Sequence, residues 1–158
     1  MLRCNPVNEP DLPHLIAGGG HRIGRWCVAD NYRSRMMHSG DVVVFWVSGN
    51  GRRLARGIWG VGQVLGVDGL EQPTAEVASA TRELRSGGDR PRVRVDIPLL
   101  AEPVSDQALR AWGIDDLEVQ VQPQGSNPSW ISIDQLARLT VGFPSLLPDP
   151  LSGKSPEL

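Results

Sequence analysis

Seven arginines crowd into residues 20–60: Arg22, Arg25, Arg33, Arg35, Arg52, Arg53 and Arg56. They stand against only Asp30 and Asp41, so the segment carries +5 before His21 or His38 is counted. The same stretch holds Trp26, Tyr32, Phe45, Trp46 and Trp59, five of the chain's eight aromatic residues. A guanidinium suits bidentate phosphate contact and stacking on planar groups, and a flat ring stacks on a base that has left its helix. Arginine interleaved with aromatics therefore fits the binding of an unstacked nucleotide. It fits equally a solvated basic face laid over core tryptophans, and composition leaves the two even.

Signals for enzyme chemistry are weaker. The run Gly18-Gly19-Gly20-His21-Arg22-Ile23-Gly24 lacks the Lys-Ser/Thr ending of a phosphate loop and follows a helical pattern, so it reads as a helix stop and connector. His14, His21 and His38 have no two-ligand helical spacing and no carboxylates clustered near them, which argues against a metal. Cys4 and Cys27 form neither a disulfide framework nor a paired-thiolate zinc site and read as free thiols. A Cys27–His21 nucleophile pair would need a depressed thiol pKa, for which the sequence offers only neighbouring arginines. The adjacent Asp115 and Asp116 read as a solvated turn. No catalytic constellation, cofactor or metal is expected.

These residues need a scaffold. With 158 residues, 40% hydrophobic and 22% charged, the chain has enough apolar surface for one core. The net charge of −2 is uneven, since residues 1–19 carry −1 and residues 61–158 carry −6, making the basic island part of an acidic body. No stretch approaches the roughly 20 apolar residues of a membrane helix, and no secretory leader pattern is visible, so a cytoplasmic location and no membrane partner are expected.

The patterning predicts a strand over 2–7 closed by Asn5-Pro6, then a helix from Asp11 ended by Gly18-Gly19-Gly20. A short helix over 31–38 follows, then a strand over 41–48 and a return strand over 57–67. Glycines 57, 60 and 62 in that return predict sharp curvature or a close backbone approach. Residues 71–91 read as a polar excursion, and 92–97 as a half-buried strand with Arg92 and Arg94 on its solvated face. Ser105 caps a helix carrying Leu109 and Trp112; Leu117, Val119 and Val121 alternate as a strand. A capping box at Ser132 to Gln135 opens a last helix burying Ile133, Leu136 and Leu139. Trp59, Trp112 and Trp130 read as core. Short curved strands with one-sided helices give an α+β class and a small barrel. The domain spans 1–142, with a proline-rich tail over 143–158.

Three runs carry a resemblance. Trp26-Cys27-Val28-Ala29-Asp30-Asn31-Tyr32-Arg33-Ser34-Arg35, Ser39-Gly40-Asp41 through Ser48-Gly49, and Gly57-Ile58-Trp59-Gly60-Val61-Gly62-Gln63-Val64 together resemble the EVE domain of the PUA-like superfamily. Asn5-Pro6 and Gln124-Gly125-Ser126-Asn127 look like further landmarks of that family. The resemblance implies a PUA-like barrel of about five or six strands with flanking short helices, related to the YTH and ASCH folds. It also implies a non-catalytic reader of a modified, notably methylated, base in DNA or RNA.

On this reading a flipped base enters a pocket of Trp26, Asn31, Tyr32, Trp46, Ser48 and Gly49, with Asn5 and Pro6 beside them. Trp26, Tyr32 and Trp46 are the stacking candidates, and Asn31 and Ser48 would bond the base edge. Arg22, Arg25, Arg33 and Arg35 would hold phosphates; Arg52, Arg53 and Arg56 are rim candidates. Two other readings stand beside it. One is an ASCH-like enzyme acting on RNA or a nucleotide through Cys27, His21 or Asp30, and the other is a protein-interaction module using the acidic surface.

Overall fold

The computed structural model describes residues 1–7, 11–49, 54–68 and 91–146. Five strands form one curled sheet, a half-barrel: β1 (Leu2–Cys4), β2 (Arg22–Cys27), β3 (Val42–Val47), β4 (Gly57–Asp68) and β5 (Arg92–Ser105). Their order is β1-β3-β4-β5-β2, with β1 parallel to β3 and every other pair antiparallel. Helix α1 (Asp11–Ala17) and the single turn α2 (Tyr32–Arg35) lie in the first half of the chain. Helices α3 (Asp106–Ala111), α4 (Glu118–Val121) and α5 (Ile133–Gly142) and a 3-10 turn at Pro144–Leu146 follow β5. The α+β class stands, and no helix among the described residues is long and apolar enough to cross a membrane.

The unbroken apolar run of β3 follows from its position. Val43, Phe45 and Val47 face one core with Leu2, Cys4, Leu12, Ile23, Val93, Val95 and Ile97, backed by Leu15 and Ile16 of α1. Val44 and Trp46 face a second core with Ile58, Val61, Leu109, Leu117, Val119 and Leu139. A strand covered on both sides has no polar alternation to show.

The close approach expected at the β4 glycines is that of β5. A Cβ on Gly62 would overlap the Asp96 carbonyl oxygen and crowd Ile97 Cα, and one on Gly60 would meet Ile97 Cγ2 and the Pro98 carbonyl. Register shifts at 58/60 and 64/66 on β4 accompany this closeness and put Ile58 and Val61 in one core but Val64 in the other. Simple alternation along β4 therefore fails.

Several sequence expectations are corrected. Residues 22–27 form strand β2, not a connector; a bulge between Ile23 and Arg25, with Gly24 inside it, breaks the alternation that would have marked it. The predicted strand at Leu117 to Val121 is a helical turn, because Gln120 folds back to accept from Leu117 N at 3.0 Å and donates to Ile114 O at 3.0 Å. Strand β5 runs on through Pro98 to Ser105, and β1 stops at Cys4. The Ser132 capping box forms as expected, yet Ile133 is 86% exposed, since Leu136 and Leu139 alone turn toward the sheet. Phe143 and Leu146 pack on the second core, so ordered packing continues past residue 142. Trp112 is exposed and lies against Gly142, with Phe143 edge-on at 6.3 Å. Most of the 71–91 excursion, with Arg52 and Arg53, lies outside the described residues.

Candidate functional site

The two edges of the curled sheet, β1 and β2, do not share a backbone ladder; side chains close the seam. Trp26 Nε1 donates to Arg3 O at 3.1 Å, and the ring stands edge-on to Phe45 at 4.8 Å, half-buried in the first core. Asn127 bridges the same edges: its Oδ1 accepts from Arg3 N at 3.1 Å, and its Nδ2 donates to Arg3 O at 3.2 Å and Cys27 O at 3.4 Å. Its own carbonyl accepts from Ala29 N at 2.8 Å. The Arg3 guanidinium donates to Pro123 O at 2.5 Å and to Gly125 O. The chain between α4 and α5 is thereby stitched across the seam and set beside the segment that leaves β2.

That segment opens α2. Asn31 is the N-cap: its Oδ1 accepts from Arg33 N at 3.0 Å and Ser34 N at 3.1 Å, while Ser34 Oγ accepts from Asn31 N at 3.2 Å. This reciprocal cap satisfies the orphan donors of a single turn and fixes Tyr32 and Arg33 within it. Arg33 Nη1 is ion-paired to Glu118 Oε1, and Glu118 Oε2 accepts from Trp130 N at 2.8 Å. Arg33 Nε donates to the Tyr32 hydroxyl at 3.2 Å. The Arg33 Cζ lies 5.7 Å from the Tyr32 ring centre and 5.8 Å from that of Trp130. One carboxylate thus ties α4, α2 and the 122–131 loop into a closed polar circuit. Around it, Tyr32 is 63% and Trp130 45% exposed.

The electrostatics follow the contacts. Burial opposes ionisation of Glu118, but the Arg33 hydrogen bond and the Trp130 N–H outweigh it and hold the carboxyl below its ordinary range. The Glu118 bond also raises the Arg33 pKa, keeping the cation permanent. Hydrogen bonds from the Arg33 and Trp130 side chains lower the Tyr32 phenol.

The residues expected in one pocket fall into four places. Asn31 and Tyr32 belong to the circuit, though the Asn31 carbonyl oxygen is committed to its cap. Trp26 belongs to the seam. Trp46 is wholly buried in the second core beneath the Arg56 guanidinium at 5.8 Å and presents no face to a guest, which corrects its assignment as a stacking wall. Ser48 is buried and donates to Cys4 O at 3.0 Å, fastening β1 to β3. Gly49 is in the left-handed region at φ +103, a Cβ there would touch Asn5 Oδ1 and the buried Pro6, and Asn5 Oδ1 accepts from Val7 N at 3.1 Å. These four make a structural corner.

The arginines divide as well. Arg22 pairs with Asp96, Arg35 with Asp30 at 3.1 Å, and Arg56 with Asp106 at 3.4 Å. Asp96, Glu118 and Asp106, outside the basic island, therefore neutralise three of its arginines. Of its arginines among the described residues, Arg25 alone makes no ion pair. Of the enzyme candidates, Cys27 is half-buried, His21 is exposed, and Asp30 pairs with Arg35. No group of three or more His, Cys, Asp or Glu able to hold a metal occurs among the described residues.

Trp130, Glu118, Asn127 and Arg3 escaped the sequence reading as site residues. Trp130 reads as core with Trp59 and Trp112, and its neighbours carry no signal of exposure, since Ser129 is buried and Ile131 packs on the second core. Comparison of the chain with family models, curated proteins and solved structures finds no match.

Proposed function

We propose that this chain is a non-catalytic nucleic-acid-binding domain that takes an unstacked, modified base onto the Tyr32–Arg33–Trp130 face. The observation that carries the reading is the pair of exposed rings, Tyr32 and Trp130, held about a guanidinium that a half-buried carboxylate fixes in place. A hydrophobic core has no use for such exposed rings, whereas a base stacks on them. The Arg33 bond to Glu118 removes the rotamer freedom that a long side chain would lose on binding, so the face is preorganised.

Extruding a base costs a few kcal/mol from a duplex and less from a single strand, while stacking returns roughly 1–3 kcal/mol per base. Those terms nearly cancel for duplex, which favours single strands and loops. A buried methyl adds about 0.8 kcal/mol, only about fourfold in affinity, so a strong preference for a modified base also needs water excluded between the rings and the base.

Titration of intrinsic tryptophan fluorescence with single-stranded DNA and RNA, with and without 5-methylcytosine or N6-methyladenine, tests the proposal. Quenching that weakens with salt is expected, with a five-fold or greater loss of affinity in folded Trp130→Ala. Parent-like affinity in both Trp130→Ala and Tyr32→Ala would overturn the assignment of this face.

A further inference from the structure

The outer surface of β2 and β5 carries arginines that the Tyr32 face does not use. Arg25 stands directly opposite Arg94, and Arg92 opposite Cys27, across the antiparallel β2–β5 ladder. Arg25 and Arg92 are exposed, and neither makes an ion pair among the described residues. The Arg94 guanidinium lies over Gly66 of β4, where a side chain would displace it. Arg22 completes the row, held to Asp96 by a pair that is 60% and 35% exposed, the weak and salt-screened kind that exchanges partners readily.

The row leads toward the aromatic face. Val28 N donates to Pro91 O at 3.0 Å, so the β2 exit and the β5 entry leave the sheet together. Only Val28, Ala29, Asp30 and Asn31 separate Cys27, opposite Arg92, from Tyr32. Fully extended, that connection spans less than about 20 Å, within reach of a short oligonucleotide.

Resting on the proposed reading of the Tyr32 face, we infer that the strand bearing the stacked base runs its phosphates along the outer face of β2 and β5, across Arg92 and Arg25. Arg33, committed to Glu118 by a pair that is mostly buried, is not a phosphate contact. This changes the sequence expectation at Arg33 and adds Arg92, which the alternation of β5 marks only as solvated.

The experiment uses the full chain and whichever labelled oligonucleotide of roughly ten nucleotides binds tightest in the titration above. Affinity is measured across a salt series for the parent, for Arg25→Gln/Arg92→Gln, for Arg25→Lys/Arg92→Lys and for Trp130→Ala. Each phosphate contact contributes about 0.7 to the slope of log affinity against log salt for a single strand, so the Gln pair is expected to flatten it by about 1.4 and to weaken binding roughly 25-fold near 0.1 M salt. The Lys pair keeps the slope, and Trp130→Ala loses affinity with the slope unchanged. A parent slope in the Gln pair with the stacking defect intact in Trp130→Ala overturns the strand path alone. Absence of binding by the parent overturns both, as does capture by phosphatidylserine vesicles without any oligonucleotide binding.

Discussion

Glu118→Gln tests whether one carboxylate organises the candidate face. The Arg33 and Glu118 side chains are only 18% and 17% exposed, so their pair is poorly screened by solvent. The substitution keeps the shape and one carbonyl acceptor, but that acceptor now serves either Arg33 Nη1 or Trp130 N, which Glu118 serves together through its two oxygens. A hydrogen bond to a charged group contributes about 1.5–3 kcal/mol, so a loss of about 2 kcal/mol is expected, or about 4–8 °C in Tm for a chain of this size. Because Glu118 has its pKa lowered in the folded state, its contribution is complete above its ordinary value of 4.5 and disappears as pH falls through the lower folded value. Urea denaturation of parent and variant at several pH values measures this. The difference between them should be full near neutrality and shrink below about pH 4.5. A double-mutant cycle with Arg33→Gln should return most of the loss as coupling. Equal stability of parent and Glu118→Gln at neutral pH, or a gap that persists unchanged into acid, would refute the reasoning.

Two further substitutions probe the scaffold. Asn127→Ala removes three side-chain hydrogen bonds that join β1, β2 and the 122–131 loop; a cost of about 2 kcal/mol or more is expected, with faster amide exchange at Arg3 as the local readout. Gly62→Ala forces a Cβ into the Asp96 carbonyl of β5, and a destabilisation of at least about 3 kcal/mol is expected by calorimetry; a parent-like Tm would show that β4 and β5 are not so close.

What the sequence determined by itself was local. The Ser105 and Ser132 caps, with their bonds from Ala108 N and Gln135 N at 3.1 Å, involve residues three apart. The apolar run of β3 and the clean alternation of residues 92–97 of β5 likewise announce themselves within a few positions, because backbone satisfaction and side-chain facing are decided there. Even so, β2 was hidden by one bulge and α4 by three residues that mimic a strand. The tertiary structure alone decided which arginines stay unpaired and which tryptophans stay exposed. Arg33 meets its carboxylate 85 residues downstream, and Trp26 meets its acceptor across a seam that exists only once the sheet curls. Charge neutralisation depends on which distant segments become neighbours, and no pattern read along the chain contains that.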